Sequence, residues 1–98
     1  MVESPGVGRA VVMLRLLGHP ERLRILCHLV TEGELSVGQL LERIPLSPSA
    51  LSQHLGKLRK EALVGTRKER QAVFYRVVRE DVLEILKTLH GLYCGGAG

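Results

Sequence analysis

The chain has 98 residues and a mass of 10.8 kDa, a length that supports one domain built around a single hydrophobic core. Its composition, 45% hydrophobic and 24% charged, is that of a globular domain and excludes a disordered tail or a disulfide scaffold. The net charge of +4 is unevenly distributed, because residues 57–79 hold eight bases and two acids, +6, whereas the remaining residues sum to −2.

The first predicted element is a helix over residues 9–17 that is apolar on several sides. We expect residues 1–8, which include one proline and two glycines, to form a flexible N-terminus. Arg15 and Gly18 make the apolar run too short for a membrane span, and the N-terminus lacks the basic flank of a signal peptide. These features predict a soluble cytoplasmic protein.

A second helix is predicted to start at Pro20, because proline in the first helical turn lacks only an N–H that has no partner there. Gly33 closes this helix. Apolar residues recur at positions i, i+3, i+4 and i+7 along one face, namely Leu23, Leu26, Cys27 and Val30. That spacing predicts a packed face.

The next two helices, joined by three residues, have the layout of a helix-turn-helix. The third begins at Ser36 and stops before Pro45, and the fourth opens with Ser47-Pro48, where the Ser47 side chain caps the free N–H groups. The apolar residues of the third helix are Val37, Leu40, Leu41 and Ile44. Those predicted for the inner face of the fourth are Leu51, Leu55, Leu58 and Ala62.

Strand chemistry replaces helix chemistry where leucine disappears, between Leu63 and Leu83. Residues 63–68 and 72–78 predict two strands around the charged tip Glu69-Arg70-Gln71. Because the tip lacks the Gly or Asn of a tight two-residue turn, we expect a longer, looser loop.

A last helix is predicted from its apolar residues, and Gly95-Gly96 stops it before a Gly-rich tail at 95–98. The apolar residues are Val82, Ile85, Leu86, Leu89, Leu92 and Tyr93. The predicted fold is therefore mainly α with a β-hairpin wing, a winged helix-turn-helix of order ααααββα, over residues 9–94.

The basic block coincides with the fourth helix and the hairpin, as expected of a surface that binds a polyanion. Gln53 can donate to and accept from a base edge, small serines let the backbone approach the groove, and lysines suit phosphates. Arginine at the hairpin tip suits a minor groove. The predicted contacts to double-stranded DNA are Ser47, Ser49, Ser52, Gln53, His54, Lys57, Arg67, Lys68, Arg70 and Gln71.

Several alternatives remain open at this point. His54 is either a phosphate donor or a partly buried residue with a structural role, and the second is favoured. The basic block could be a solvated face, and the domain a protein-interaction module. A thiol enzyme is disfavoured, because His28 points about 100° away from Cys27 around the helix and no acidic partner is suitably spaced.

Three segments occur in an order that resembles the ArsR/SmtB family of dimeric bacterial repressors. They are Leu17–Leu26 (LGHPERLRIL), Glu34–Leu40 (ELSVGQL) and Leu46–Leu55 (LSPSALSQHL), and the similarity runs from about residue 11 to 94. The resemblance implies a homodimer held mainly by the first and last helices, two recognition helices in successive major grooves, and release of operator DNA when an inducer binds.

Metal ligands typical of the family are missing. The Cys-Val-Cys segment of arsenic and cadmium sensors is replaced by Ser36-Val37-Gly38. Zinc sensors carry Asp-x-His and His-x-x-His or Glu pairs on the last helix, but here Leu83 and Tyr93 stand where the second ligand of each pair would be. We therefore expect no metal and no cofactor. A metal-responsive repressor with a non-standard site, for which His90 and Cys94 could supply two ligands, is the alternative.

Cys27 and Cys94, the two cysteines of the chain, lie in segments that resemble the persulfide- and redox-sensing subgroup of the same family. That resemblance implies that they form the sensing pair, joined by a disulfide or polysulfide bridge when a reactive sulfur species or another oxidant is the inducer. The alternative is a small apolar Cys27 in the core and an unused Cys94.

Overall fold

The computed structural model describes residues 4–94 as five helices and three strands. The helices are α1 (Gly6–Leu17), α2 (Pro20–Glu32), α3 (Val37–Arg43), α4 (Pro48–Lys60) and α5 (Glu80–Tyr93). The strands β1 (Leu35–Ser36), β2 (Val64–Glu69) and β3 (Ala72–Val77) form an antiparallel sheet in the order β1-β3-β2. The predicted winged helix-turn-helix is confirmed, with one short strand more than the sequence indicated.

Helix α2 lies at the centre of the domain and packs against α1, α4, α5 and β3. Its fully buried residues are Ile25, Leu26 and Leu29. The face predicted to pack was therefore rotated, since only Leu26 of its four residues is buried and Leu23, Cys27 and Val30 are partly buried at the edge of the core. The elements packed around α2 bury residues that a pattern with a single apolar face predicts to be exposed.

The helix-turn-helix is fixed by caps at both of its helix starts. The Ser36 hydroxyl accepts from the Gln39 N–H at 3.1 Å, and the Gln39 side chain accepts from the Ser36 N–H at 2.9 Å, which completes a capping box. The Ser47 hydroxyl accepts from the Ala50 N–H at 3.1 Å, as predicted. Helix α3 ends before Pro45, also as predicted.

Ala62 corrects the predicted inner face of α4, because it lies beyond the helix and is exposed. Its φ of 60° is in the left-handed region. The Leu63 N–H donates to the Leu58 carbonyl at 2.9 Å and the Ala62 N–H to the Arg59 carbonyl at 3.0 Å, the pattern of a Schellman motif. Ala62 therefore turns the chain into β2 and leaves the core face of α4 to three leucines, Leu51, Leu55 and Leu58.

The hairpin turn is tighter than predicted. Glu69 pairs with Ala72 in the strand register, so that Arg70 and Gln71 alone make the connection. Arg70 has a φ of 57°, the left-handed conformation that Gly or Asn normally supplies in a two-residue turn. Strand β1, which the sequence did not indicate, pairs Leu35 with Tyr75 on the other edge of β3.

The element ends also differ slightly from the predictions. Helix α1 begins at Gly6, three residues before the predicted start at residue 9, and α5 ends at Tyr93 with Cys94 as its C-cap. The predicted stop at Gly95-Gly96, the tail at 95–98 and the first three residues of the predicted flexible N-terminus lie outside the described residues. Between residues 4 and 94, no helix is long and apolar enough to cross a membrane.

We expect Ser36→Ala to lower the free energy of unfolding by about 1 kcal/mol, because it removes one half of the capping box of α3. Urea denaturation at fixed protein concentration measures the change. Ser52→Ala, on the exposed face of α4, is the matched control and should change the free energy by less than about 0.5 kcal/mol. Equal losses in the two variants would contradict the role of the cap.

Candidate nucleic-acid interface

Helix α4 presents a polar face opposite its three buried leucines. The residues predicted to point outward are all exposed, namely Ser49, Ser52, Gln53, Gly56, Lys57 and Lys60. Because Leu51, Leu55 and Leu58 hold the helix against the core, these side chains are presented in a fixed orientation. The geometry suits insertion of the N-terminal part of α4 into a DNA groove.

Two serine hydroxyl groups, those of Ser47 and Ser49, lie at the start of α4. The Ser47 hydroxyl is committed to the cap of the helix, and it lies 3.3 Å from the Ser49 hydroxyl. Both residues are exposed, so the hydroxyl pair lies on the surface at the N-terminus of α4. Helix N-termini favour anions such as a phosphate, which suits the predicted contacts at these two positions.

His54 is only partly exposed and lies against the N-terminus of α2. Its ring centroid is 4.7 Å from that of His19, whose Nδ1 accepts from the Glu21 N–H as the N-cap of α2. Burial, followed by the nearby His19 and Arg22, lowers the pKa of His54. This placement fits the structural role for His54, and the His19 partner was not foreseen because the two residues belong to different helices.

The wing residues that were predicted to contact DNA differ in their contacts within the protein. Lys68, Arg70 and Gln71 are exposed at the tip of the hairpin. Arg67, by contrast, forms ion pairs with Glu34 at 2.8 Å and Glu69 at 2.6 Å. The four predicted wing residues are therefore all exposed, but Arg67, whose side chain is 48% exposed, is the one held in ion pairs.

Two of the eight bases in the basic block, residues 57–79, take part in ion pairs. Arg67 and Arg79 are paired with carboxylates, Arg79 with Asp81 at 2.6 Å. The other six bases of the block are exposed, namely Lys57, Arg59, Lys60, Lys68, Arg70 and Arg76. Because α4 packs against β2, the bases of the helix and those of the wing belong to adjoining elements.

The two cysteines line one groove between α2 and α5 with a volume of about 570 Å³. Both are free thiols; Cys27 is partly buried and Cys94 is exposed. Burial and the charge of Cys94 raise the pKa of Cys27. The remaining walls mix apolar and basic residues, namely Pro20, Leu23, Arg24, His28, Thr31 and His90.

The groove is not arranged as a metal centre. Within residues 4–94, no three His, Cys, Asp or Glu side chains are grouped so that they could hold a metal ion. Cys94 caps α5 through its N–H to the His90 carbonyl at 2.8 Å, where the helix dipole disfavours a negative charge on sulfur. Arg24, His28 and His90 are the basic side chains that line the groove.

Comparison with known proteins places this architecture among bacterial regulators. Residues 19–66 match the family model described as bacterial regulatory protein, arsR family. The chain is 51% identical over 86 residues to the transcriptional activator HlyU of Vibrio cholerae, covering 88% of this chain and 79% of that protein.

Two solved structures extend the similarity to three dimensions. Reduced HlyU from Vibrio cholerae superposes with a TM-score of 0.87 at 49% identity, covering 91% of this chain and 93% of that one. The transcriptional repressor BigR from Xylella fastidiosa gives a TM-score of 0.83 at 36% identity, covering 90% of this chain and 89% of that one.

We expect the free energy of unfolding to fall as the pH is lowered from about 7.5 to about 5.5. The pKa of folded His54 lies below the ordinary value of about 6.5, so the unfolded chain binds more protons within this window and acid favours it. Urea titrations at the two pH values measure the change.

His54→Gln is the control for that titration, and its pH dependence should be weaker. The carboxyl groups of Glu32, Glu34 and Asp81 contribute little here, because their pKa values are lowered and their titration lies below the window. The same pH dependence in both proteins would contradict the assignment to His54.

Proposed function

The chain belongs to the arsR family of bacterial regulatory proteins, and we propose that it is a homodimeric repressor that releases its operator when Cys27 and Cys94 are oxidised. Membership makes it a DNA-binding transcriptional regulator and not an enzyme. The relatives include a protein named as an activator and one named as a repressor. A regulator of bacterial genes acts in the cytoplasm, which is where we place this protein.

The observation that best supports DNA binding is that α4 buries one face in the core and leaves its polar face exposed. Gln53 lies on the exposed face, where its amide can donate to and accept from a base edge, most naturally adenine. Ser47, Ser49 and Ser52 are small enough to let the backbone approach the groove. Lys57 on the helix, with Lys68, Arg70 and Gln71 on the wing, supplies contacts to phosphates and the minor groove.

A second copy of the chain is the proposed occupant of the apolar surface on the terminal helices. Val12 and Leu14 on α1 are 45% and 62% exposed, and Leu92 and Tyr93 on α5 are 71% and 79% exposed. Large apolar side chains that are left exposed on two helices support a covered interface. Two-fold pairing through α1 and α5 presents two recognition helices to a partly palindromic duplex.

The proposed input is the thiol pair in the α2–α5 groove. Cys94 is the first to react, because it is exposed, whereas burial keeps Cys27 protonated. The thiolate of Cys94 attacks the outer sulfur of a persulfide RSSH, which gives Cys94–SSH and releases RS⁻. Cys27 then loses its proton and attacks the Sγ of Cys94, which forms the disulfide and expels hydrosulfide.

A peroxide would reach the same product by a different route. Cys94 becomes a sulfenic acid as the O–O bond breaks, with water leaving from hydrogen peroxide or an alcohol from an alkyl hydroperoxide, and Cys27 then displaces water from the sulfenic acid. A polysulfide bridge needs a second persulfide RSSH, which converts Cys27 to Cys27–SSH and releases RS⁻. The outer sulfur of Cys27–SSH, as its anion, then attacks the Sγ of Cys94–SSH and expels hydrosulfide, which leaves a trisulfide. The bridge closes a loop whose chain entropy is worth about 4 kcal/mol at most, more than the roughly 1 to 3 kcal/mol typical of allosteric coupling.

The alternatives have less support. A metal-responsive site would need a third ligand beside His90 and Cys94, and the described residues hold no such group. A protein-interaction module would not need the exposed serines, glutamine and bases of α4 and the wing tip. Its affinity for DNA would also lack a strong dependence on salt.

Gln53→Ala should relax base preference at one operator position, at a cost of about 1–3 kcal/mol on the preferred duplex. Arg70→Ala should instead weaken binding to all duplexes and reduce the slope of log K against log salt by about one. Fluorescence anisotropy with duplexes selected from a random library measures both effects. Wild-type behaviour in the two variants would place the recognition surface elsewhere.

Persulfide treatment should reduce the affinity of the wild-type protein for a selected duplex, and reduction with a dithiol should restore it. The Cys27→Ser, Cys94→Ser double variant is the control and should bind equally before and after treatment. A gel-shift titration measures both proteins. An unresponsive wild-type protein would refute the sensing role while leaving DNA binding intact.

A further inference from the structure

The guanidinium of Arg67, on strand β2 of the wing, is held from several directions at once. Its Nε donates to both Glu34 carboxylate oxygens at 2.9 and 3.0 Å, and one terminal nitrogen lies 2.8 Å from the same carboxylate. The other terminal nitrogen donates to Glu69 at 2.6 Å. The central carbon of the group lies over the Phe74 ring, 4.7 Å from its centroid.

These contacts connect parts of the fold that are distant along the chain. Glu34 immediately precedes β1, which leads directly into α3, the first helix of the helix-turn-helix. Arg67 and Glu69 lie on β2, and Phe74 on β3, within the wing. Arg67 therefore links the wing to the helix-turn-helix through the Glu34 carboxylate. The hydrogen bonds from Arg67 also hold the pKa of Glu34 below its ordinary value.

The same contacts make Arg67 poorly suited to binding DNA. All three of its nitrogens already lie within hydrogen-bond distance of carboxylate oxygens, so two carboxylates offset its positive charge and hold the group in place, although the side chain is 48% exposed. Lys68 and Arg70, by contrast, are exposed positions on the same hairpin.

We propose that Arg67 is a positioning residue that sets the orientation of the wing relative to the helix-turn-helix, and not a residue that contacts DNA. The proposal refines the DNA-binding surface of the proposed function and rests on it. A correctly oriented wing lets α4 and the wing tip engage the major and minor grooves together. Glu34 acts with Arg67, although a carboxylate beside a DNA-binding surface should by itself repel the phosphates.

Arg67→Lys and Glu34→Gln separate this role from a phosphate contact. Lysine serves a phosphate as a point charge, but it cannot bridge two carboxylates and stack on a ring as a guanidinium does. Removal of the Glu34 charge should strengthen DNA binding if electrostatics alone mattered. A positioning role instead predicts that both substitutions weaken it.

The first measurement is hydrogen exchange of the free protein. The amides of β2 and β3 should exchange faster in Arg67→Lys and in Glu34→Gln than in the wild type, because the wing loses its side-chain link and keeps only the β1–β3 pairing to the helix-turn-helix. Arg70→Lys, at the exposed tip, is the matched control and should exchange as the wild type does. Unchanged exchange in both test variants would overturn the proposal.

The second measurement is affinity for a duplex selected from a random library by the wild-type protein. Arg67→Lys and Glu34→Gln should each weaken binding about three- to tenfold, and the double variant should be no weaker than the weaker single variant, as expected of coupled residues. The salt slope should stay unchanged, because no phosphate contact is lost. Wild-type affinity of Arg67→Lys, or tighter binding by Glu34→Gln, would overturn the proposal.

The two proposals fail in different ways. An unchanged salt slope in Arg70→Ala would remove the wing contacts from the proposed function. Hydrogen exchange in the Arg67 and Glu34 variants would still decide whether the link positions the wing.

Discussion

Burial of helix α2 on several sides is the constraint on which the rest of the structure depends. Ile25, Leu26 and Leu29 are at most 1% exposed, and α2 packs against α1, α4, α5 and β3. One helix thereby contacts the proposed dimer helices, the recognition helix and the wing sheet. A displacement of α2 cannot be local, because close-packed interiors transmit strain to their neighbours.

Cys27 lies at the edge of that same helix, where its side chain faces the groove toward α5. The N-terminus of α2 is capped by His19, and the His19 ring contacts the ring of His54 on α4. A bond between Cys27 and Cys94 would fix α2 relative to the end of α5. The proposed response to oxidation therefore needs no separate sensing domain, since α2 already packs against α4, the proposed recognition helix.

Much of the architecture could be predicted from the sequence, because local chemistry decides it. Pro20, the Ser36 and Ser47 caps and Pro45 mark helix ends through backbone chemistry that tertiary contacts do not change. The exposed face of α4 likewise followed from helical periodicity. The rotated face of α2 did not, because a helix that is covered on several sides lacks a single apolar stripe.

The remaining differences have two physical causes, namely backbone conformations that override residue preference and partners that are distant in sequence. Arg70 and Ala62 adopt left-handed backbone conformations that strand pairing and a Schellman motif impose. Strand β1 exists through its pairing with β3, and Arg67 is held by Glu34, 33 positions away. Charge counting along the chain could not detect that pairing.

The central claim is that oxidation of the cysteine pair releases DNA, and intact-protein mass spectrometry of the released fraction tests it most directly. After persulfide treatment of the protein–DNA complex, the released protein should lack two hydrogens or carry added sulfur, with both changes absent from the double serine variant. The protein that stays bound should keep its reduced mass. Released and bound fractions of identical reduced mass would contradict the account.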